Sequence, residues 1–537
     1  MAGIKVVASY EKWPEANITN LKNNGHKAPP VDIRTLALRE LPSDIDVVVG
    51  SPPCIEFSFS NRGGGGDIED GLRDIKKFLT IVDYLKPKAW AMENVPRVGE
   101  ILDRELKSKG RLARFRHLNF DHEILNAEEF GLPQRRLRCI AGNLDFKLLK
   151  AYATRTKRLT LGLVIDALAK PTIADPIYDI QLSRSALSDH DLEDNLDIEE
   201  ERINRAAKLL HPVYNKMAFP DPLDRAVRTV TATCTRVSRE SIIVEDPTSP
   251  DRYRRLTLRE RSTLQGFPIT FNFYGANYGH KLRMIGNAMP PLLSLYIGQA
   301  IRGIPATKAV SPETAISVFS PSTEIPPVTL PSKATGVRFP EGRTFRFAIG
   351  SLHFKSGVRF ELRNKFKSGA ALWQVAFVFG SPKSIHEMVL KAELCTTVVQ
   401  TLPIEVRASI EQSLSKCRTW IRRADVQRMQ DVWSHRGPGL TRPFMVLDRL
   451  DECADELKGI LASCAYAYEP ALEKVIVAAF GRRAKSLVGL GKLRKHAQAV
   501  LAGVLVGATA NVELESHGRA RPAEKDRASR SLAGAER

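Results

Sequence analysis

The sequence predicts an α/β fold in which a parallel sheet carries helices on both faces. Three short apolar runs are the first observation: IKVVASY over residues 4–10, IDVVVG over 45–50 and AWAM over 89–92. The second observation is the helix-like stretch GLRDIKKFLTIVDYLKPK between the last two runs. Strand, helix and strand in succession, with strands that are apolar throughout, are typical of parallel strands covered on both sides.

The stretch between the second and third runs has the spacing of a helix. Its apolar positions are Leu72, Ile75, Phe78, Leu79, Val82 and Leu85. Pro87 ends the predicted helix, since proline lacks the N–H that the next turn would need. A later run, RLRCIAG over residues 136–142, predicts a further strand of the same sheet.

The remaining chain is divided by changes in composition. AVRTVTATCTRVSRESIIVED is rich in Thr, Val and Arg and predicts strands, whereas LTLRERSTLQGF and PPLLSLYIGQAI have helical periodicity. A segment rich in Pro, Ser and Thr then predicts a linker. After it, TFRFAIG, VRFELRN and WQVAFVFG predict strands, and the rest predicts helices, so we expect an α+β C-terminal extension.

The charge balance favours a polyanionic partner. The 537 residues are 43% hydrophobic and 26% charged, which is globular composition, and 80 Lys and Arg against 61 Asp and Glu give a net charge of +19. Nucleic acid is a more natural partner than a membrane for such a chain. A basic protein without such a partner is the alternative at this point.

The cysteines and apolar runs indicate a soluble protein of a reducing compartment. Seven cysteines are scattered without a CxxC pair or the spacing of a zinc site, so we expect neither disulfides nor a metal. The N-terminus lacks the basic start and apolar core of a signal peptide. AVLAGVLVGATA, over residues 499–510, is too short to cross a bilayer and predicts a buried helix.

Reactive side chains follow two of the predicted strands. SPPC places Cys54 at the end of one apolar run, and MENV places Glu93 and Asn94 at the end of the next. Ligands bind beyond the carboxyl ends of strands in an open α/β sheet, so we expect Cys54 and Glu93 to meet in one crevice. A cysteine there can be a nucleophile if nearby cations favour its thiolate.

Other parts of the chain could serve such a site. PQRRLR supplies Arg135, Arg136 and Arg138, and a glycine run at residues 63–66 predicts either a mobile loop or an anion-binding nest. GNAMPP, at residues 286–291, predicts a turn into an apolar helix. Each feature alone also fits inert packing, a surface carboxylate or a solvated basic face. Their order and spacing together favour a functional site.

Taken in order, the motifs resemble those of bacterial, S-adenosylmethionine-dependent cytosine-5 DNA methyltransferases. SPPCIEFS resembles the nucleophile motif, MENV the glutamate motif and LNAEEFGLPQRRLR the arginine motif. RRLTLRERSTLQGFP and GNAMPPLLSLYIGQAI resemble the two motifs that follow the family's variable region. The resemblance covers residues 1 to about 304. It implies the family's Rossmann-like methyltransferase sheet with a small target-recognition region.

The resemblance also implies catalytic roles. Cys54 would attack C6 of cytosine, and Glu93 would contact N3 and the exocyclic amine so that charge on the ring is neutralised. Arg136 and Arg138 would assist at O2 of the base and at the DNA backbone. C5 would then take the methyl group of S-adenosylmethionine, without a metal. The base must be flipped out for this, and the glycine run suits a loop that closes over the DNA.

The cofactor residues implied by the resemblance lie in several segments. ASYEKWPEA and VDIRTL resemble the segments that hold the ribose and the adenine. The implied residues are Glu11 for the ribose hydroxyls, Asp32 for the adenine amine, Ile33 for the adenine ring, Pro53 beside the nucleophile and Asn287 near the methionine end.

The target-recognition region is expected at about residues 221–246. The candidate readers of the DNA are Arg228, Thr231, Thr233, Thr235, Arg236 and Arg239. Threonine and arginine side chains can reach base edges and phosphates. An ordinary edge hairpin is the alternative for this segment.

One family motif is absent. The family has a glycine-rich FxGxGG turn ahead of the Glu11 segment, and here only MAGIKVV precedes that segment. The strand before that turn lies in the middle of the family's sheet. We therefore expect unpaired sheet edges, low stability and weak cofactor binding, from a truncated gene product or a misassigned start. Normal cofactor affinity and methyl transfer by the 537-residue chain would contradict this expectation.

Composition and resemblance together predict six segments. They are a catalytic methyltransferase domain at 1–150 that is incomplete at its N-terminus, a target-recognition region at 151–251, motifs that return to the catalytic domain at 252–304, a linker at 305–342, an accessory α+β domain at 343–514 and a disordered basic tail at 515–537.

The predicted function is therefore a DNA cytosine-5 methyltransferase in the cytoplasm. It would act on duplex DNA, either alone or with a cognate restriction endonuclease. A catalytically impaired DNA-binding remnant and an RNA cytosine methyltransferase are the alternatives, and the long region between the arginine motif and RRLTLRE favours DNA. In the accessory region, GRRAKSLVGLGKLRKH favours extra DNA or partner contact, although amphipathic helices often carry such charges.

Overall fold

A computed structural model of the protein describes residues 1–57, 66–154, 156–190, 193–210, 217–318, 324–331, 338–354, 357–367, 369–381, 384–481 and 489–518. The chain forms two compact units, Met1–Glu200 with Phe219–Ser332, and Glu201–Ala218 with Lys333–Arg537. Residues 201–218 thus fall in the second unit, whereas composition grouped them with 151–251. The six-segment division stays a prediction.

The first unit is a mixture of short strands and helices. Its strands are β1 (Val47–Gly50), β2 (Ala89–Asn94), β3 (Asp121–Asn126), β4 (Gln134–Arg135), β5 (Leu137–Gly142), β6 (Thr172–Ala174), β7 (Gln181–Ser183), β8 (Val227–Arg228), β9 (Ile243–Asp246) and β10 (Ser249–Arg255). Its helices are α1 (Pro14–Asn24), α2 (Ile68–Leu85), α3 (Arg97–Glu105), α4 (Phe146–Ala153), α5 (Leu161–Ala169), α6 (Ile198–Leu209, which crosses the unit boundary), α7 (Leu258–Leu264), α8 (Tyr278–Asn287), α9 (Pro291–Ile301) and α10 (Pro312–Ala315).

The sheet that carries the crevice has the strand order β1-β2-β5-β3. β1 and β2 are parallel, with Gly50 opposite Met92, as the strand–helix–strand pattern predicts. β5 is antiparallel to both β2 and β3, so the prediction of a parallel sheet is confirmed for β1 and β2 and is wrong for β5. Only residues 127–136 separate β3 from β5, which is too short for the crossover that parallel strands need.

The predicted helix between β1 and β2 is confirmed as α2. Asp67 caps its start by accepting hydrogen bonds from two backbone N–H groups of the first turn. The helix ends at Leu85, where Lys86 takes a left-handed conformation (φ 48°) and Pro87 follows. The predicted apolar positions Leu72 to Val82 are buried, and they join the core cluster beneath the sheet.

Residues 4–10 form no strand, contrary to the prediction. Val6 and Val7 are 59% and 58% exposed, and one isolated bridge joins Glu11 to Pro30. A β-branched run becomes a strand only where a neighbour can pair with it, and no strand among the described residues lies beside this one. β1 is accordingly an edge strand, and its Val49 is 64% exposed.

The second unit confirms the predicted α+β extension. Its strands β11 (Arg346–His353), β12 (Arg359–Lys367), β13 (Ala370–Ser381) and β14 (Ser384–Met388) form an antiparallel sheet in chain order. Its further helices are α11 (Ala392–Thr401), α12 (Ile404–Arg423), α13 (Met429–Trp433), α14 (Pro443–Leu461), α15 (Tyr468–Phe480), α16 (Leu490–Lys495) and α17 (Ala497–Gly518).

α17 is the buried helix that the apolar run predicts. Gly503 packs so closely on Phe360 of β12 that a Cβ atom would lie 2.4 Å from the ring. Residues 497–517 are long and apolar enough to span a membrane, but 83% of the apolar window is buried inside the protein. The helix continues past Glu515, where the sequence predicts the tail to begin. The rest of that tail, residues 519–537, lies outside the described residues.

Candidate active site

The turns that follow β1 and β2 form the candidate site. The parallel pairing of these strands brings the segment Ser51–Cys54 beside the end of β2, where Glu93 and Asn94 lie. Asn94 is buried, and its Nδ2 donates to the carbonyl of Pro52 at 3.0 Å. Asn94 therefore fixes one turn to the other, and the structure brings Cys54 and Glu93 to the same edge of the sheet.

Glu93 is held from two sides. Arg138 Nε lies 2.7 Å from Oε1, and the Ser51 hydroxyl donates to Oε2. The Glu93 and Arg138 side chains are only 11% and 12% exposed, so this ion pair is poorly screened by water. The arrangement presents a carboxylate of fixed orientation next to the thiol.

The Cys54 thiol is partly buried and surrounded by opposing charges. Burial raises its pKa above the usual value, and the negative charge of Glu93 raises the pKa further. Arg138 and Arg136 act in the opposite direction and lower it. The raising effects prevail, so Cys54 is a neutral thiol at neutral pH in this structure. Neutralising or moving the negative charge on Glu93 would remove one of the two effects that disfavour the thiolate, the other being burial.

Arg136 does not face the crevice as a base-contacting residue would. It is 2% exposed, and its guanidinium donates to the carbonyls of Val230, Gly286 and Ala288 at 3.2, 2.9 and 3.1 Å. Burial, followed by the charge of Arg138, lowers its pKa to about 9. In this structure Arg136 joins the variable region to the turn after α8, and it acts on Cys54 only through its charge.

Gln134 makes a second connection of this kind, which the sequence does not reveal. Its Oε1 accepts from the backbone N–H of Val230 at 2.8 Å, and its Nε2 donates to Gln265 Oε1 at 2.8 Å. Gln265 in turn donates to the carbonyl of Ala288 at 2.6 Å. The only signal in the sequence is that a polar residue in PQRRLR falls on a buried position. Ser51 is exposed and Asn94 is buried, and the sequence does not reveal the contact that either of them makes with the other turn.

The two expected cofactor carboxylates lie in neighbouring segments. The N–H of Val31 donates to the carbonyl of Glu11 at 3.0 Å, and the backbone N–H of Trp13 donates to Glu11 Oε1 at 2.8 Å. Asp32 accepts from Lys12 Nζ at 2.7 Å and from the backbone N–H of Arg34 at 2.9 Å, and both bonds hold its pKa below the usual value.

These residues fit the hydroxyl and amine donors of an adenosyl group. Glu11 is exposed with one oxygen bonded to Trp13, and Asp32 is a stable carboxylate whose oxygens can each accept a second bond. Ile33 beside it is half-buried and apolar. Pro53 and Asn287 are both exposed, Pro53 next to Cys54 and Asn287 at the end of α8. The cofactor assignments stay predictions.

Two of the expected target-recognition arginines are occupied inside the protein. Arg236 is 6% exposed, with Nε and Nη2 donating to the two carboxylate oxygens of Glu200 at 2.7 and 2.8 Å. Arg228 is largely buried against Asp221 and the carbonyl of Ser241. Both arginines are thus engaged inside the protein in this structure, and their role in target recognition stays a prediction, because a sequence pattern does not show which cations already have internal partners.

The other expected readers are better placed. Thr233 and Thr235 are exposed, and Thr231 is half-buried with its hydroxyl donating to the carbonyl of Thr233 at 2.8 Å. Arg239 is partly exposed and pairs with the neighbouring Glu240 at 2.8 Å. Gly286 packs against the same segment so closely that a Cβ would lie 2.3 Å from the backbone nitrogen of Ala232. The recognition segment is thus adjacent to the catalytic half.

A thiol, a carboxylate and a guanidinium at the end of α/β strands are the parts of a covalent group-transfer enzyme. Comparison with known families makes the class specific: the model for the C-5 cytosine-specific DNA methylases matches residues 1–303. The chain belongs to this family and is a DNA cytosine-5 methyltransferase. Such enzymes use S-adenosylmethionine as methyl donor.

Curated relatives agree with this assignment. The Type II methyltransferase M.MthTI of Methanothermobacter thermautotrophicus is 28% identical over 328 residues, which is 56% of this chain and 91% of that protein. M.AplI of Arthrospira platensis is 28% identical over 335 residues, or 60% of this chain and 87% of that one. Among solved structures, a DNA modification methyltransferase of an E. coli prophage aligns with a TM-score of 0.40 at 21% identity, covering 56% of this chain and 93% of that one.

Proposed function

We propose that this chain methylates C5 of a flipped-out cytosine in duplex DNA through a covalent bond between Cys54 and C6. The observation that carries the proposal is the group formed by Cys54 and Glu93 at the ends of β1 and β2 and by Arg138 at the start of β5. S-adenosylmethionine, when bound, supplies the methyl group. Glu11, Asp32, Ile33, Pro53 and Asn287 are the residues proposed to hold it.

The proposed chemistry divides the work between the thiol of Cys54 and the carboxyl group of Glu93. Cys54 Sγ, as a thiolate, bonds to C6. The electron pair of the C5–C6 double bond then shifts toward C4 and N3 of the cytosine ring. Glu93 holds a proton at N3, so that this charge is neutralised and C5 becomes nucleophilic. Once C5 has taken the methyl group, whose bond to the donor's sulfur breaks, the C5 proton would pass to a water molecule. The electrons of the C5–H bond restore the double bond and expel Sγ.

The charges around Cys54 link the reactivity of its thiol to the binding of a cytosine. Glu93 disfavours the thiolate while it carries its charge. A bound base that shares this charge would weaken the effect. Cys54 is therefore activated most strongly when a cytosine occupies the crevice. This protects the thiol from side reactions while the site is empty.

Several parts of the proposal concern the DNA and its context. Thr231, Thr233, Thr235 and Arg239 are proposed to contact it, and the loop that closes over it is proposed at the glycine run, of which Gly63–Gly65 lie outside the described residues. The relatives' Type II names support a role in restriction–modification with a cognate endonuclease. We propose that the enzyme is cytoplasmic and that it associates with the cell's DNA.

Bisulfite sequencing of DNA from cells that express the chain tests the activity and finds the target together. We expect protected cytosines within one recurring sequence, and none with Cys54→Ser. An impaired DNA-binding remnant is the second candidate, favoured by the exposure of Val6 and Val7 next to the Glu11 segment. It would leave every cytosine converted although the purified chain still binds duplex DNA.

A further inference from the structure

Ser51 has a contact that the proposed chemistry does not use. It directly follows β1, and its hydroxyl donates to Glu93 Oε2. Arg138 occupies the other carboxylate oxygen, Oε1. The carboxylate is therefore held at both oxygens, by groups from two different segments of the chain.

Contacts to both carboxylate oxygens restrict the orientation of the otherwise flexible Glu93 side chain. A glutamate side chain at a strand end can rotate about three bonds, and Arg138 alone would fix one oxygen and leave the carboxylate plane free to turn. A hydroxyl on the second oxygen fixes that plane. A carboxylate has about four lone-pair positions, so positions remain open for the amine and N3 of a cytosine.

We infer that Ser51 is a positioning residue for methyl transfer, which acts by orienting the Glu93 carboxylate toward the cytosine edge. The inference rests on the proposed function, because it takes Glu93 as the residue that meets the base. It adds a residue outside the implied catalytic set of Cys54, Glu93, Arg136 and Arg138.

The same contact could merely stabilise the turn, but the turn has its own connection. Asn94 Nδ2 donates to the carbonyl of Pro52 at 3.0 Å, and Asn94 Oδ1 accepts from the N–H of Val95 at 2.9 Å. Pro52 and Pro53 restrict the backbone further. Removing the Ser51 hydroxyl therefore leaves the turn fixed and frees one oxygen of Glu93.

The first test compares Ser51→Ala and Ser51→Thr in the full-length protein. We expect Ser51→Ala to slow single-turnover methyl transfer about tenfold while DNA affinity changes less than about twofold. Ser51→Thr keeps the hydroxyl and should recover most of the rate. Ser317→Ala, an exposed serine bonded only to the carbonyl of Thr314 among the described contacts, is the matched control. Equal rates for Ser51→Ala and the parent would overturn the inference.

A double-mutant cycle separates positioning from structure. If Ser51 acts through Glu93, Ser51→Ala causes no further loss of rate in a Glu93→Gln background. The same fold-loss in both backgrounds would mean that Ser51 only stabilises the turn. A Glu93→Gln variant as active as the parent would instead contradict the proposed function, so the two failures can be told apart.

A measurement that does not depend on catalysis is needed where methyl transfer by the Glu93→Gln variants is too slow to measure. The pH midpoint of Cys54 alkylation reports on the position of the Glu93 charge, because that charge acts on the thiol. We expect Ser51→Ala to move the midpoint in the parent and to leave it unchanged with Glu93→Gln. Movement in both backgrounds, or in neither, would contradict the inference.

Discussion

Glu93 is the side chain through which the other site residues act. It accepts a hydrogen bond from Ser51 and forms an ion pair with Arg138, and its charge reaches the Cys54 thiol. Arg136, only two positions from Arg138 in the sequence, donates instead to carbonyls inside the protein. The two arginines of this motif thus have different roles, and substituting each one in turn should affect different properties of the protein.

Glu93→Gln is expected to lower the pKa of the Cys54 thiol, because it removes a negative charge that raises it. The alkylation rate of Cys54 with iodoacetamide, followed against pH by mass spectrometry of its peptide, should then rise at lower pH than in the parent. Glu100→Gln, an exposed acid at the start of α3, is the control and should leave the curve in place. An unchanged or higher midpoint in Glu93→Gln would refute this account of the thiol.

Arg136→Ala and Arg138→Ala should have opposite profiles. Arg136→Ala removes three hydrogen bonds to carbonyls inside the protein and should cost about 3 kcal/mol of unfolding free energy in urea titrations. Arg138→Ala should unfold at nearly the parent's urea concentration but slow single-turnover methyl transfer by about 100-fold, through Glu93. A stable Arg136→Ala variant would show that the carbonyl contacts contribute little.

At the scale of secondary structure, the sequence predicts those helices and strands that depend on the spacing and composition of nearby residues. The helical spacing of Leu72 to Leu85 and the apolar run before SPPC are enough to place α2 and β1. They also place the two catalytic turns, because consecutive parallel strands end at the same edge. The direction of β5 follows from the length of its connection, which composition does not show.

The failures at this scale are non-local. Residues 4–10 have strand composition and form no strand, because pairing depends on a neighbour and not on the run itself. Arg228 and Arg236 look like DNA-contacting cations, but Asp221, in the same region, and Glu200, from an earlier part of the chain, already pair with them. Ser51 and Gln134 gain their contacts only when separate turns meet. No spacing rule in the sequence carries that information.

The recognition segment offers a test at this scale. Arg236→Ala removes both bonds to Glu200 and should destabilise the protein by about 3 kcal/mol, since it takes away the cation that is paired with a buried carboxylate. Thr233→Val changes an exposed side chain and should alter stability by less than about 0.5 kcal/mol while shifting the methylated sequence. Urea unfolding and bisulfite mapping of both variants check this. A shifted target in a fully stable Arg236→Ala would contradict the burial argument.

At the scale of the whole molecule, the net charge of +19 suits a DNA-modifying enzyme, and the part of the second unit from Lys333 onward is outside the residues that the family matches. The basic stretch that ends in α16 favours DNA contact, although residues 482–488 of it lie outside the described part of the chain.

Neutralising two cations of α16 tests that contact. Arg494→Gln with Lys495→Gln should make DNA affinity less dependent on salt, by up to about 1.8 in the slope of log K against log salt if both meet phosphates. The control pair Lys107→Gln with Lys109→Gln removes the same charge from exposed positions of the first unit. Equal slopes for the α16 pair and the parent would show that α16 does not contact DNA.

The covalent bond between Cys54 and cytosine C6 is the central claim. Duplex DNA that carries 5-fluorocytosine in the methylated sequence tests it most directly, because fluorine at C5 cannot leave as a proton and the adduct persists. With S-adenosylmethionine present, we predict a complex that survives denaturation, with the DNA attached to the peptide containing Cys54. No complex, or one that still forms in Cys54→Ser, would contradict the account.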